Sequence, residues 1–398
     1  MPIPSGVETR LTIGKETTWG VKPLASTGKL TRRTTVTLDL ARDTFESAEI
    51  ISTAQTQDMR LGSDNISGTL NAELSCGTYQ DLFAAAFRGP WFAGASIAAS
   101  TDIEFVAPNK LVRTAGSFIA DSFKIGTAVD VSGSANPENV GRFVISDVTA
   151  LELTVQVNIE NTIAQPFVNE AAGASITIAT SGKLLIVPLS GRTNDSFTIE
   201  KYYETINTSE VYTGNKISTI GFNFAPNAMA TVTFGLMGRA AESNTGPYFI
   251  NPAVDTLTSV LAGTKGSLFI GGQRIATVTG LTVDQTGNME TGQVIGDRQT
   301  PDVFLGRFTV SGQFTAYFEN NDLWEHFKNE DELTITMKME GDGLEGMLFT
   351  LPRVKLGGAS KDDKEVGGII QTVPFTALLY TGTGPLHRTT MVLQDFTL

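Results

Sequence analysis

Ile66-Ser-Gly-Thr-Leu-Asn-Ala-Glu-Leu, positions 66–74, alternates apolar or small residues with polar ones without a break. A period of two over nine residues is the mark of a strand with one buried face. Sliding the chain by 244 positions lays the stretch from Asp58 to Ala72 on the stretch from Asp302 to Ala316 with no gap. Asp58/Asp302, Leu61/Leu305, Gly62/Gly306, Ser67/Ser311, Gly68/Gly312 and Ala72/Ala316 are identical, and Phe83/Phe327 continues the register. Val310, Gly312, Phe314, Ala316 and Phe318 repeat the parity of Ile66, Gly68, Leu70, Ala72 and Leu74. A slip of one residue would turn every side chain to the opposite face, so shared parity carries structural information. The chain therefore contains an internal duplication, the feature to which the rest of the reading is tied.

Each copy of the strand is followed by a short amphipathic pattern. Tyr79, Leu82, Phe83, Ala86 and Phe87 fall at helical spacing, with Ser75 or Thr78 as N-cap. In the second copy Leu323, Trp324 and Phe327 form the stripe, Asn321 caps it, and Lys328 closes it where the helix dipole favours a cation. The spacing predicts strand then helix, packed on a sheet, twice. Further strands alternate through Ile220, Phe222 and Phe224, through Val232, Phe234 and Leu236 after the Pro226-Asn227 turn, and through Leu333, Ile335, Met337 and Met339. Runs 348–356 and 369–379 complete the second copy.

The first copy is interrupted. Between 97 and 182 several short strands, among them Ala128–Val131, Gly141–Ile145, Leu151–Val155 and Ser175–Ile178, are separated by turns. This segment reads as a small barrel or sandwich inserted in a surface loop. The expected division is an N-terminal arm at 1–30, a first β domain from 31–96 and 183–250, the inserted domain at 97–182, and a second β domain at 251–398.

Composition agrees with that class and narrows function. The 398 residues include 40 Gly and 15 Pro, only 18% are charged, and Thr, Val, Ile and Phe are abundant, a mainly β profile. A net charge of −13 and a pI near 4.7 give a field that repels phosphate, which argues against tight nucleic-acid binding. Cys76 is the lone cysteine, so no intrachain disulfide forms. The first twenty residues carry Glu8, Arg10, Lys15 and Glu16 and no signal-peptide run, and nothing approaches a membrane span, which points to a protein kept in the cytoplasm or in something assembled there.

Chemistry is hard to place on this chain. One Cys and two His, His326 and His387, do not make a usual zinc site, and no Gly-x-Ser-x-Gly elbow flanks a serine. Gly271-Gly272 and Gly341-Asp-Gly343 read as turns, and no carboxylate pair stands out. The expectation is no catalytic residue, no metal and no cofactor.

Several stretches resemble the siphophage major tail tube protein in its two-domain form. They are Glu16-Thr-Thr-Trp-Gly, Thr44-Phe-Glu-Ser-Ala-Glu-Ile, Gln57-Asp-Met-Arg, Ile66 to Leu74, Tyr79-Gln-Asp-Leu-Phe, Ser196-Phe-Thr-Ile-Glu-Lys, Leu351-Pro-Arg-Val-Lys and Gln371-Thr-Val-Pro-Phe-Thr-Ala-Leu. Their order along the chain carries the resemblance, which spans all but the 97–182 insert. It implies a mainly β fold of two related tail-tube sandwiches, each with a flanking helix, in a structural virion protein made in the host cytoplasm. It also implies self-assembly into stacked rings, trimeric and pseudo-hexameric for a duplicated chain, that conduct double-stranded DNA without binding it tightly. Other tail proteins (tape measure, terminator, distal tail) would be further partners.

On that reading the long segments 42–62 and 284–306 touch the adjacent ring. Candidate contacts between rings or subunits are Glu16 and Trp19 in the arm, Phe45, Glu46, Ile50, Ile51 and Met59 in the first segment, and Gln285, Met289 and Arg298 in the second. Asp39, Glu73 and Glu200 are candidates for the lumen, with an outward solvated face equally open to them. A β-sandwich decoration or glycan-binding receptor protein is the competing reading, and a virion glycosidase a third.

Overall fold

The computed structural model describes residues 3–50, 52–53, 55–156, 166–362 and 366–398. The first copy of the repeat comprises β1 (Thr9–Lys15), β2 (Lys29–Leu30), β3 (Asp39–Glu46, led in by Thr35–Val36), β4 (Met59–Glu73), α1 (Gln80–Phe87), β5 (Phe197–Tyr203), β6 (Thr208–Phe224), β7 (Thr231–Gly238) and β8 (Ala240–Thr245). The second comprises β9 (Gly266–Ile270), β10 (Gln273–Ile275), β11 (Val278–Thr286), β12 (Thr309–Tyr317), α2 (Asp322–Lys328), β13 (Leu333–Glu340), β14 (Gly346–Leu356, continued by Ser360–Lys361), β15 (Ile370–Ala377) and β16 (Val392–Asp395).

Strand for strand, the second copy repeats the pairings of the first. β1 pairs with β2 and β5, β5 with β6, β6 with β7 and β8, β7 with β4, and β4 with β3, all antiparallel. β9 pairs with β10 and β13, β13 with β14, β14 with β15 and β16, β15 with β12, and β12 with β11. Each copy is thus a sandwich whose longest strand serves both sheets. In β6, Thr208–Thr213 lies in the outer sheet between β5 and β8, and Lys216–Asn223 lies in the inner sheet beside β7. Gly214 sits at the bend with φ +71 and with the Trp19 ring 3.1 Å from where a Cβ would stand, so conformation and space both call for glycine.

The matched glycines found by sliding the sequence also have a cause. A Cβ on Gly68 would meet the Leu38 backbone at 2.4 Å, and one on Gly312 would meet the Thr282 carbonyl at 2.2 Å. In both copies the neighbouring strand crosses too closely for a side chain.

α1 fills the first sandwich. Leu82, Phe83, Ala86 and Phe87 are buried, and the Phe83 ring lies 5.9 Å from Phe222 and 5.4 Å from Phe234. Tyr79 is its N-cap and makes no side-chain capping bond, and Ser75 and Thr78 bond each other at 2.7 Å rather than capping the helix. α2 departs from the expected packed stripe. None of its residues is fully buried, and Trp324 and Phe327 are 42% and 38% exposed. α1 lies against β6 and the strand Lys183–Ile186, whereas α2 only skirts β14.

The expected arm is corrected in the same way. Thr9–Lys15 is an interior strand of the first sandwich, with Leu11 and Ile13 buried and seven residues in register with β5. The strand Lys183–Ile186, expected in the first domain, instead continues the outer sheet of the second by pairing with β16, and on its other side with Phe92–Ala93.

That last pair is where the insert leaves and returns. Among the described residues its seven strands run from Ser96 to Thr180 in one sheet around Phe105, Phe143 and Phe167, and the four predicted segments are strands Ala128–Ser132, Gly141–Val148, Glu152–Gln156 and Ile176–Thr180. The insert is docked rather than free. The buried Gln394 side chain of β16 accepts from Ala128 N–H and donates to the carbonyls of Ala128 and Ser181 at 2.7–2.9 Å, Lys124 Nζ donates to the Gly384 carbonyl, and His387 Nε2 lies 3.1 Å from Thr127 Oγ1.

The two sandwiches are joined by one ladder. β6 pairs with β11 from Thr219↔Thr286 to Phe224↔Leu281, which makes a continuous inner sheet in the order β3-β4-β7-β6-β11-β12-β15-β14. Two buried cations brace it. Arg88 donates from Nη1 to the Gly306 carbonyl and from Nη2 to the Gly287 carbonyl, at 2.8 and 2.9 Å, and Lys216 Nζ reaches Asp302 Oδ1 and the Val303 carbonyl at 2.7 and 2.8 Å.

Arg88→Met keeps the stem of the side chain and leaves two carbonyls without their donor. Denaturant unfolding should show a loss of about 2–3 kcal/mol, and an unchanged midpoint would mean that Arg88 does not brace the joint. His387 is held neutral by burial and by nearby Lys124, and its pKa falls from 6.5 to about 4. The unfolded chain therefore takes up a proton first as pH drops. Stability from this site is complete above about 6.5 and is lost as pH falls towards about 4. Melting curves across that window should show the acid sensitivity reduced in His387→Phe.

Candidate assembly surface

The eight-stranded inner sheet has one face on the core and one face bare. On the core side lie Ile66, Leu70, Phe222, Phe234, Val283, Phe314 and Phe375. On the other side the alternating positions are Ser67, Thr69, Asn71 and Glu73 on β4, Thr231 and Thr233 on β7, Thr219, Gly221 and Asn223 on β6, Thr282, Asp284 and Thr286 on β11, Ser311, Gln313 and Thr315 on β12, and Thr372 and Thr376 on β15. The β6, β7 and β11 residues line a concavity at the joint of the two copies. Among these positions the charged side chains are carboxylates, Glu73 and Asp284, with Asp39 beside them on β3 and paired with Ser67. Lys355 of β14, opposite Thr376 on the same face and 3.4 Å from Glu330, is a cation there, so this surface of hydroxyls, amides and sparse charges offers phosphate little to bind.

At both ends this sheet stops abruptly. β3 pairs with β4 alone and β14, past Leu356, with β15 alone, so among the described residues each has one edge without a partner strand. Unpaired edges invite another chain unless blunted. Here Lys201 Nζ donates to the Leu38 carbonyl, and Asp39 Oδ1 accepts from Leu40 N–H at 2.7 Å.

The long segment after β3 is a hairpin, not an open loop. β3 and β4 stay paired out to Glu46↔Met59, with only 47–58 as the tip. Phe45, Ile50 and Met59 are 61%, 100% and 52% exposed, Glu46 is exposed too, and Ile51 lies outside the described residues. The second segment is shaped differently. Glu290–Thr291 pairs with Val303–Phe304, the Arg298 carbonyl accepts from Asp64 N–H at 2.8 Å, and Met289 is half-buried near Gly287. Arg298 is exposed, and so are Val294 and Ile295, which the sequence reading passed over.

Four expected contact or lumen residues face inward instead. Glu16 is buried, and its carboxylate accepts from Ser196 Oγ, Thr198 Oγ1, Gly20 N–H and Gly214 N–H at 2.6–2.8 Å, so it ties β1 to the outer sheet. Trp19 donates from Nε1 to the Gly214 carbonyl and lies under Lys216 and Arg239. Gln285 is 1% exposed on the core face of β11. Glu200, also 1% exposed, accepts from the backbone N–H groups of Tyr248 and Phe249, because both faces of β5 are covered. Asp39 and Glu73 are exposed.

The remaining reactive side chains are used structurally. Cys76 is buried, and desolvation together with Asp395 pushes its thiol pKa up, away from the thiolate form. His326 bonds Asp331 at 2.8 Å on the surface beside α2. Among the described residues no cluster of His, Cys, Asp and Glu could hold a metal, and no helix is long and apolar enough to cross a membrane.

A family profile described as phage tail tube protein matches residues 6–377. No curated protein matches the chain. Because the profile covers nearly the whole sequence, insert and both sandwiches included, the chain belongs to the phage tail tube protein family.

Proposed function

We propose that three copies of this tail tube protein close into a ring, that rings stack, and that the bare faces of the inner sheets form the conduit through which phage DNA leaves. The observation that carries this is the β6–β11 ladder, in which two sandwiches already share one curved sheet with an unpaired edge at either end. A closed barrel removes such edges.

Strand number supports the size. Eight strands from each of three chains, at about 4.8 Å per strand and tilted as in barrels, give a cylinder roughly 45–50 Å across between backbones. After side chains are subtracted, that leaves room for a duplex of roughly 20 Å. The wall would be hydroxyl-rich and mostly acidic, with Lys355 already paired to Glu330, so passing phosphate meets little to release counterions against.

Stacking falls to what projects beyond the sandwich. The β3–β4 hairpin presents Phe45, Ile50 and Met59, and the second segment presents Val294 and Ile295, all apolar and all exposed in the single chain. A handful of such residues, buried on contact at about 25 cal/mol per Å², provides the affinity between rings. α2 offers Trp324 and Phe327 for the same purpose between neighbours.

Concentrating the purified protein should give hollow filaments by negative-stain microscopy, and a chain that stays monomeric under all conditions overturns the proposal. Ile50→Asp combined with Ile295→Asp should leave rings and abolish filaments. Glu73→Lys with Asp284→Lys should leave filaments but make them retain duplex DNA in sedimentation at low salt, with retention falling steeply as salt rises; DNA-free filaments would place these faces away from the lumen.

A further inference from the structure

The chain contains its own template for the contact between copies. β6 and β14 correspond at a constant shift of 139 positions, with Ile217 on Leu356 and Gly221 on Ser360, as their pairings with β7 and β15 require. A one-residue register shift falls at the same place in both, between Ile217 and Thr219 and between Leu356 and Ser360. β3 and β11 correspond at a shift of 245, with Asp39 on Asp284, because Asp39 faces Ser67 as Asp284 faces Ser311. Inside the chain the outward edge of β6 is filled by β11, with Phe222↔Val283, Gly221↔Asp284, Ile220↔Gln285 and Thr219↔Thr286. The counterparts of those two edges, on β14 and β3, are the two inner-sheet edges without a partner strand among the described residues.

We propose that the occupant of each open edge is a second copy of this chain, antiparallel and in the register copied from β6–β11: Lys361 with Leu38, Ser360 with Asp39, Ala359 with Leu40 and Gly358 with Ala41 of the neighbour. The inference rests on the ring proposed above and fixes its joint. Parity supports it independently. In the template Gly287 N–H donates to the Ser218 carbonyl, so Gln285, Val283 and Leu281 direct their backbone groups across the joint. The counterparts of Gly287, Gln285, Val283 and Leu281 are Arg42, Leu40, Leu38 and Val36. On the other side Thr37 N–H already donates to the Thr69 carbonyl of β4, which leaves Leu38 and Leu40 facing outward. Those are the two residues whose backbone groups are held by Lys201 and Asp39 in the single chain. The incoming strand replaces these side-chain bonds with main-chain ones, and the covers keep the edge from pairing at random beforehand. The lone cysteine is buried and does not interfere with thiol chemistry at the joint.

Asp39 and Ser360 form a non-hydrogen-bonded pair in this register, as do Ala41 and Gly358, with Cα atoms about 4.5 Å apart and suited to a disulfide. Under mild oxidation of assembled filaments, Asp39→Cys/Ser360→Cys and Ala41→Cys/Gly358→Cys should each run as covalent multimers on a non-reducing gel. The diagonal pair Ala41→Cys/Ser360→Cys, about 7–8 Å apart, should remain largely monomeric. Filaments that cross-link only through the diagonal pair, or through no pair, overturn this joint and leave the tube standing. Failure of the unsubstituted chain to assemble overturns both.

Discussion

Everything in this molecule is arranged around the backbone ladder between β6 and β11. It makes one eight-stranded sheet out of two sandwiches, each of which is complete in its own pairings. Main-chain hydrogen bonds contribute little net energy each, about 1 kcal/mol, but they fix direction and register as side-chain packing alone does not. Arg88 and Lys216 add specificity by tying α1 and β6 to the 287–306 segment of the other copy. Burying Arg88 is tolerable because the Gly306 and Gly287 carbonyls both face its guanidinium at hydrogen-bond distance. The relative orientation of the copies is thus set inside the chain, which fixes the geometry that any copy-to-copy joint of the same kind inherits.

Much of this was legible in the sequence, and the reasons differ by element. The parity of Ile66–Leu74 and Val310–Phe318 survives because β4 and β12 have one core face and one bare face, the condition under which alternation is informative. Gly68 and Gly312 matched because strands cross them too closely for a Cβ. α1 was readable as a stripe because the sandwich closes over it. Where the reading failed, two-sided burial or local side-chain chemistry was responsible. Phe197 to Tyr202 is buried throughout, so Glu200 looked like a solvent position on an alternating strand while its carboxylate was receiving backbone N–H groups. Leu11 and Ile13 are too few to give a periodic signal, and the polar residues beside them, Thr12 and Glu16, are buried, the carboxylate of Glu16 hydrogen-bonded. No pattern in the sequence separates such a carboxylate from an exposed one.

The two helices show how context rather than propensity decides burial. α1 and α2 occupy equivalent places after β4 and β12, and both carry aromatic stripes, yet α1 is covered and α2 is not. The difference lies in what else the chain supplies: Lys183–Ile186 and Trp91 close over the first helix, whose Gln80 carbonyl accepts from the Trp91 indole at 3.0 Å. Among the described residues nothing equivalent follows α2. The same aromatic stripe is therefore core in one copy and partly exposed surface in the other.

The insert illustrates the complementary constraint. It departs and returns through strands paired with each other, Phe92–Ala93 and Lys183–Ile186, so its ends are adjacent and its presence costs the sandwich no topology. It rests on the outer sheet through Gln394, Thr127 and His387, a polar seam whose groups are satisfied mutually, while the bare inner face carries none of it. A domain attached there adds mass on the side away from the proposed lumen and leaves the edges of β3 and β14 untouched. The insertion thus enters where the two outer-sheet strands at its ends pair with each other, and it leaves every strand of the inner sheet free for the proposed wall.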